Sequence, residues 1–303
     1  MKIYDLIIVG AGPAGMTAAV YAARKRLEFL IISRDIGGQL SWSGDVENYT
    51  GYQFITGPEL TLKFEEHIRR FKVNMHMPET VKELIQEGKS IKAVSDKSEY
   101  ICRTVIVASG KRPRPLNVKG EKEFRNKGVT YCATCDGPLF ADKPVAIIGG
   151  GNSALDAALQ MVKISPKVHI VNNAQNFTAD AIMADKLKES PVAQIWNNAT
   201  VQKIYGDNFV RGIELEKDKK RYDLKVEGVF IEIGLIANTD GLDILKKNED
   251  SEIIVDCHNR TNVAGIFAAG DVSNVPDKQV IVACGEGAKA TLAAFRYLST
   301  HTF

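Results

Sequence analysis

Two glycine loops constrain this chain more than anything else in it. Each lies between a short apolar run and a helix-forming run. The first is Gly10-Ala11-Gly12-Pro13-Ala14-Gly15, preceded by residues 4–9 (YDLIIV) and followed by residues 13–25 (PAGMTAAVYAARK). The second is Gly149-Gly150-Gly151, preceded by residues 144–148 (PVAII) and followed by a helical pattern over 153–162. An apolar, β-branched run ending in glycine reads as a buried strand. A glycine turn leading straight into a helix leaves unpaired N–H groups pointing at whatever occupies the turn.

Further strands come after each loop, at residues 29–32 (FLII) and 168–171 (VHIV), so each half opens as a βαβ unit. The two openings lie 139 positions apart, from Gly10 to Gly149, which makes the architecture internally duplicated. Residues 104–110 (TVIVASG) and 226–234 (VEGVFIEIG) read as further strands, and the tail resumes with 265–271 (GIFAAGD) and a helix over about 285–298. The first unit needs those tail segments to complete its sheet. The expected fold is therefore α/β, with two Rossmann-like nucleotide-binding domains, the second inserted into the first. The boundaries expected from the Pro- and Gly-bearing crossings are 1–112 with 239–303, and 113–238.

Gly10 suits the tight turn, Gly12 a close backbone approach to a pyrophosphate, and Gly15 the packing of helix on strand. Asp35 falls 20 positions after Gly15, just past the second strand, where an acid bonds a ribose hydroxyl. The alternative is a glycine turn that binds nothing, which the ordered strand, loop, helix and acid argue against.

Of five cysteines, only Cys132 and Cys135 are close, as Cys132-Ala133-Thr134-Cys135. A dithiol at this spacing can close a small disulfide ring, with one thiolate attacking and the other resolving. Half of a zinc site is the competing reading, but no second C-x-x-C and no histidine pair of ligand spacing exists, so no metal is expected. Two unrelated core cysteines remain a third reading. Asp136 follows directly and is either a proton relay to the dithiol or the first residue of an Asp-Gly-Pro turn.

The chain has 303 residues, 45% apolar and 25% charged, with a net charge of +2. That is the balance of a globular protein. It holds no Lys/Arg footprint for nucleic acid, no apolar run long enough to span a membrane and no signal-peptide pattern, so a cytoplasmic location is the expectation.

In order along the chain stand GAGPAG at Gly10, GGQL at Gly37, VENY at Val46, ASG at Ala108, GVTYCATCDGPLF at Gly128, GGGNSA at Gly149, GIFAAGD at Gly265 and KQVIVACGEGAKA at Lys278. With these motifs the chain resembles the low-molecular-weight thioredoxin reductases, and its second half resembles still more the flavoprotein subunit of bacterial alkyl hydroperoxide reductase. The resemblance implies FAD in the first domain. Carried over, Gly10, Gly12, Pro13, Ala14 and Gly15 hold the pyrophosphate and Asp35 the ribose. Gly38, Gln39, Leu40 and Asn48 lie along the flavin and its chain, and Val81 meets the adenine through its backbone. Ala108 and Gly110 belong to the same site, and Gly270 and Asp271 cradle the ribityl-phosphate side. Lys278, Gln279 and Val280 approach the isoalloxazine, with lysine where such reductases often have arginine. Cys132 and Cys135 would face the flavin and then, by rotation of the inserted domain, a thioredoxin- or glutaredoxin-like protein. Homodimers are usual. The peroxide-reductase relatives carry an extra N-terminal dithiol module; the sequence here opens at the FAD strand, so a separate protein is expected as the partner.

The second loop departs from the pattern. Gly149, Gly151 and Ala154 fit G-x-G-x-x-A, but the next strand runs into Asn172-Asn173-Ala174-Gln175-Asn176-Phe177-Thr178. NADPH-using relatives have a histidine and two arginines at Asn172, Asn173 and Ala174 and another arginine at Thr178; NADH-using ones have an acid at about Asn173. Neither set is present, and no arginine occurs between Arg125 and Arg211. A charge-assisted hydrogen bond contributes about 1.5–3 kcal/mol, so loss of two arginines should weaken NADPH by several powers of ten. The favoured expectation is a donor other than NADPH, of ferredoxin type, as in some members of this family; a reduced deazaflavin is another. Weak NADH use in a peroxiredoxin system, or a flavin oxidase with a vestigial dithiol, are the alternatives. An acidic donor would call for a basic patch, either Lys63, Arg69, Arg70 and Lys72 or Lys217, Lys219, Lys220 and Arg221. Either run also reads as an ordinary solvated surface.

Overall fold

A computed structural model describes residues 2–43, 45–46 and 48–301; the side chains of Trp42, Asp45, Thr134 and Cys135 lie outside that description. The chain divides into two compact units, Met1–Arg112 with Ile236–Phe303, and Pro113–Leu235.

The first unit begins with β1 (Ile3–Ala11), α1 (Pro13–Arg24) and β2 (Phe29–Ile36). A short ribbon of β3 (Asp45–Val46) and β4 (Ile55–Thr56) leads into α2 (Gly57–Arg69). The Thr56 hydroxyl accepts from the Glu59 N–H, while the Glu59 carboxylate accepts from the Thr56 N–H; this reciprocal cap fixes where α2 starts. Then come β5 (Asn74–His76), β6 (Val81–Glu87), β7 (Ser90–Ser95), β8 (Glu99–Val107) and β9 (Lys111–Pro113). The sheet order is β5-β2-β1-β8-β7-β6. β1 lies parallel between β2 and β8, which is why Leu6, Ile7 and Ile8 are fully buried and apolar without alternation. Leu6 and Ile8 face the helices on one side, and Ile7 and Val9 face the opposite core.

The second unit holds β10 (Val129–Thr130), the single turn α3 (Ala133–Asp136), β11 (Val145–Ile148), α4 (Asn152–Met161), β12 (Val168–Val171), α5 (Ala181–Glu189) and β13 (Ala193–Trp196). Next is an antiparallel sheet of β14 (Ala199–Gly206), β15 (Val210–Lys217) and β16 (Lys220–Leu224), and then β17 (Gly228–Ile231). β17 runs parallel between β10 and β11 in the order β10-β17-β11-β12-β13. Period-two alternation makes three layers. Val145 and Ile147 pack on the helices with Ala154, Leu155 and Leu187, whereas Ala146 and Ile148 pack on the antiparallel sheet with Val201, Ile213 and Leu215.

β18 (Leu235–Ala237) pairs with β9 where the chain crosses between units. The return crossing falls at Leu235/Ile236, ahead of the sequence-expected 238/239. Asn238 explains the difference. Its N–H donates to the Gly110 carbonyl, its Nδ2 donates to the Ser109 carbonyl at 2.8 Å, and its own carbonyl accepts from Ser109 Oγ at 2.8 Å. β19 (Ile266–Ala268) then pairs with β8, and α6 (Val280–Thr300) closes the first unit. α6 starts five residues before the expected position because Gly285 and Gly287 do not interrupt it. A Cβ at Gly287 would come within 2.1 Å of the Ala14 carbonyl oxygen, so glycine there lets α6 press on α1.

Candidate functional site

The first glycine loop sits at the carboxyl end of β1. A Cβ on Gly10 would strike the Ala108 carbonyl oxygen at 2.4 Å, which binds the loop tightly to the end of β8. Gly12 differs: a Cβ there would find only the Gly37 carbonyl oxygen, at 3.8 Å, so its outer face is open. α1 starts at Pro13 with no side-chain cap, leaving its first N–H groups directed into that opening. Such a cradle fits a diphosphate.

Of the other expected residues of this unit, Gly38 and Gly270 come against the loop. Gly270 lies against Ala14, since a Cβ added there would stand 3.0 Å from the Ala14 Cβ, and Asp271 is the next residue. Burial pushes the Asp271 carboxyl up, and Lys278 and Lys111 act in the opposite direction. Gly38, Gln39 and Leu40 form a 3-10 turn, Gly38–Trp42, beside Gly12. Asn48 Nδ2 donates to Gln279 Oε1 at 3.1 Å, and Gln279 is the N-cap of α6, which begins at Val280. Asp35 lies at the end of β2, with its carboxylate on Arg34 Nε at 3.1 Å. The Glu79 N–H donates to the Ser33 carbonyl at 2.9 Å, which brings the segment entering β6 at Val81 to the end of β2. Gly110 has open space where a Cβ would stand.

Lys278 is not a free cation. Its Nζ donates to the Ser273 carbonyl at 2.6 Å and lies 2.7 Å from Glu252, which Lys111 also holds at 2.8 Å. Burial works against ionisation of Glu252, but hydrogen bonds from Lys111, Lys278 and Asn248 outweigh it and hold the carboxyl at about 2. Glu252, Lys111 and Asn248 escaped the sequence reading, since nothing local marks a charge as buried. This unit fits FAD, which supplies two-electron chemistry when bound.

In the second unit, Cys132 is in a disulfide, and the Cys135 side chain is outside the described residues; Cys102, Cys257 and Cys284, all in the first unit, are free thiols. Cys132 comes after β10, and its N–H donates to Thr130 Oγ1 at 3.3 Å. The Thr130 hydroxyl in turn donates to the Asp136 carboxylate. Asp136 closes α3, with its N–H on the Cys132 carbonyl at 3.1 Å. A hydrogen-bonded chain thus joins the cysteine backbone to the acid through Thr130, a residue that sequence reasoning missed. Glu232, the first residue after β17, was missed as well. Its carboxylate accepts from the Ala133 N–H, and burial pushes it up to about 7 against that hydrogen bond, helped by Asp156.

The second glycine loop keeps the shape of the first. Gly149 is at φ 144° and α4 starts after Gly151 with no side-chain cap. The segment after β12 differs in kind. Asn172 is buried, and its Nδ2 donates to the Ala174 carbonyl, the Asn176 carbonyl and Asn197 Oδ1, each at 3.1 Å. Its Oδ1 accepts from the Ala174 N–H at 3.2 Å. Asn172 is committed to folding its own loop. Thr178 is tied back onto the Gly150 carbonyl through its N–H at 2.9 Å.

Of the two basic runs, the α2 run is partly neutralised: Lys63 pairs with Glu66, and Arg69 with Glu65. On the β15–β16 hairpin, Lys219, Lys220 and Arg221 are exposed. Among the described residues, no His, Cys, Asp or Glu cluster is placed to hold a metal, and no helix is long and apolar enough to cross a membrane.

Two nucleotide-binding-type folds, one carrying a C-x-x-C and one an open diphosphate cradle, define a flavin-dependent disulfide oxidoreductase. Residues 4–287 match the pyridine nucleotide-disulphide oxidoreductase family, and the chain belongs to it; its cofactor is FAD. The F subunit of alkyl hydroperoxide reductase from Pseudomonas putida is 39% identical over 305 residues, 98% of this chain and 58% of that protein. The chain therefore spans little more than half the length of such curated relatives. Thioredoxin reductase of Lactococcus lactis is similar in structure with a TM-score of 0.87 and 33% identity, covering 98% of this chain and 100% of that one. A ferredoxin-flavin thioredoxin reductase from Clostridium acetobutylicum is similar with a TM-score of 0.56 and 28% identity, over 99% of this chain and 98% of that one.

Proposed function

We propose that this chain takes electrons from a donor other than NADPH, a ferredoxin-type protein being favoured, and uses FAD and then the Cys132/Cys135 pair to reduce a thioredoxin- or glutaredoxin-like disulfide protein. The observation that carries the dithiol role is the Cys132 disulfide, backed by Thr130 and Asp136 in one hydrogen-bonded chain. Asp136 is the proton relay of that chain. The first unit holds FAD through Gly10, Gly12, Pro13, Ala14, Gly15, Asp35, Gly38, Gln39, Leu40, Asn48, Val81, Ala108, Gly110, Gly270, Asp271, Lys278, Gln279 and Val280. Homodimers are the expected assembly.

The donor assignment rests on Asn172. A 2′-phosphate needs a cation that can form charge-assisted bonds. Here the position after β12 carries a neutral amide already bonded to its own loop. The likeness to a ferredoxin-flavin thioredoxin reductase supports the same reading. A second reading, NADH-driven reduction in a peroxiredoxin system, is favoured by the retained glycine loop and by the peroxide-reductase relative.

The deciding experiment is anaerobic. NADPH, NADH or a reduced ferredoxin is added separately to the FAD-loaded protein while flavin absorbance is followed. Rapid bleaching by ferredoxin and none by NADPH is expected; rapid bleaching by NADPH overturns the donor assignment. C135S should keep FAD and lose protein-disulfide reduction, and full activity in that variant overturns the dithiol role.

A further inference from the structure

β17 lies between the two strands that lead into the chemistry of the second unit. β10 on one side runs into Cys132, and β11 on the other runs into the glycine loop. The first residue beyond β17 is Glu232. Its main chain is pinned: its N–H donates to the Ile148 carbonyl at 2.8 Å, and its own carbonyl oxygen stands 2.2 Å from where a Gly149 Cβ would be. Its side chain is half-buried and accepts a hydrogen bond from the Ala133 N–H, the peptide group next after Cys132.

We propose that Glu232 is a positioning residue coupled to the Cys132 thiol: it acts through the Ala133 N–H to set the pH at which the reduced pair forms its thiolate. The proposal rests on Cys132 belonging to the working dithiol. Reduction breaks the S–S bond, takes up two electrons, and gives two thiols once two protons are bound; a small dithiol reductant supplies both and is itself oxidised to a cyclic disulfide. An ionised carboxylate held on the peptide group next after Cys132 opposes a developing thiolate by like charge. A neutral carboxyl does not, although it still accepts the Ala133 N–H. The two groups therefore titrate as a pair. Burial holds Glu232 near pH 7, inside the range in which such thiols ionise.

Among the described residues, the other titratable groups on the elements packed around Glu232 are Asp156, Asp136 and Tyr131. Asp156 on α4 raises it by charge. Asp136, at the end of α3, is occupied by the Thr130 hydroxyl. Tyr131, after β10, has its hydroxyl on Glu121 at 2.7 Å. The glycine loop contributes no titratable side chain.

The test is a thiol titration of the full-length, FAD-loaded chain in a C135S background. The protein is reduced with dithiothreitol, and iodoacetamide alkylation of the Cys132 peptide is followed by mass spectrometry from pH 5 to 9. The native glutamate should give a broad, two-step profile. E232Q keeps the hydrogen bond without the charge, so its profile should collapse to one ionisation whose midpoint is lower by about one pH unit, a tenfold change in thiolate population. E232D should restore the broad profile. Superimposable profiles for Glu232 and E232Q overturn the proposal. Should E232Q fail to fold, D156N decides, because Asp156 is exposed. Removing its charge should move the lower step to lower pH, and an unmoved step overturns the coupling. Neither electron donor nor protein acceptor enters this measurement, so an error in the donor assignment leaves its outcome intact.

Discussion

Lys278 Nζ and Lys111 Nζ meet on one oxygen, Glu252 Oε1, at 2.7 Å and 2.8 Å. One buried carboxylate thereby ties the segment entering α6 to the strand that leaves the first unit. Removing it leaves two poorly solvated cations close together, so E252A should destabilise the first unit by about 3–5 kcal/mol in urea unfolding. The sign with pH comes from the depressed carboxyl. Its contribution is complete above the ordinary carboxylate range and is lost as pH falls toward about 2. The native protein should lose stability over that interval, and E252Q should lose less.

Gly12 separates folding from cofactor binding. A methyl group there meets only the Gly37 carbonyl oxygen at 3.8 Å, and the backbone is extended, at φ −79°. G12A should thus leave apoprotein stability within about 0.5 kcal/mol. Flavin affinity should fall by about tenfold or more, because the methyl group occupies the approach of the diphosphate. Fluorescence titration of apoprotein with FAD, beside a thermal melt, checks both halves.

His169 predicts an acid limb for the second unit. Burial, with Lys167 nearby, holds the imidazole down to about 4, and Trp196 Nε1 donates to its Nδ1 at 3.1 Å. Between pH 6.5 and 4 the unfolded chain takes up a proton that the folded chain refuses, so stability falls through that window. The loss is about 2 kcal/mol after allowance for solvent screening. H169Q should remove that slope, as read by tryptophan fluorescence across a pH series of denaturant melts.

Asn173 and Thr178 are exposed, unlike Asn172, and can be changed without opening the core. Arginine at both positions offers charge-assisted bonds to a 2′-phosphate. N173R/T178R should therefore raise the apparent affinity for NADPH by about tenfold or more, with little change for NADH. Equal gains for both nucleotides would point to general charge attraction instead.

The two βαβ openings were legible in the sequence because their signals are local: a buried parallel strand must be apolar throughout, and glycine must come directly after it. The close spacing of Cys132 and Cys135 was legible for the same reason. What escaped is set by long-range pairing. Lys111 and Glu252 are 141 positions apart, and no pattern around either marks it as buried. Thr130 and Glu232 read as ordinary strand and strand-end residues until the parallel order β10-β17-β11 brings their carboxyl ends together. The compact first unit takes in Asn238, which looks like a linker residue but hydrogen-bonds to Ser109, Gly110 and Arg112. The start of α6 was hidden by two glycines, of which Gly287 is what lets the helix press on α1.

The interrupted first unit also has a history during synthesis. Its sheet lacks β19 and its helical layer lacks α6 until residues 266–300 have emerged, whereas the unit from Pro113 to Leu235 is continuous and complete well before then. Since domains fold as units while the chain is being made, the cysteine-bearing unit would be folded while the N-terminal strands still wait for their partners. During that interval the apolar edge of β8 that later receives β19 is exposed. A chaperone that binds exposed apolar strand edges would find its substrate there, in a half-made first unit attached to a finished second one.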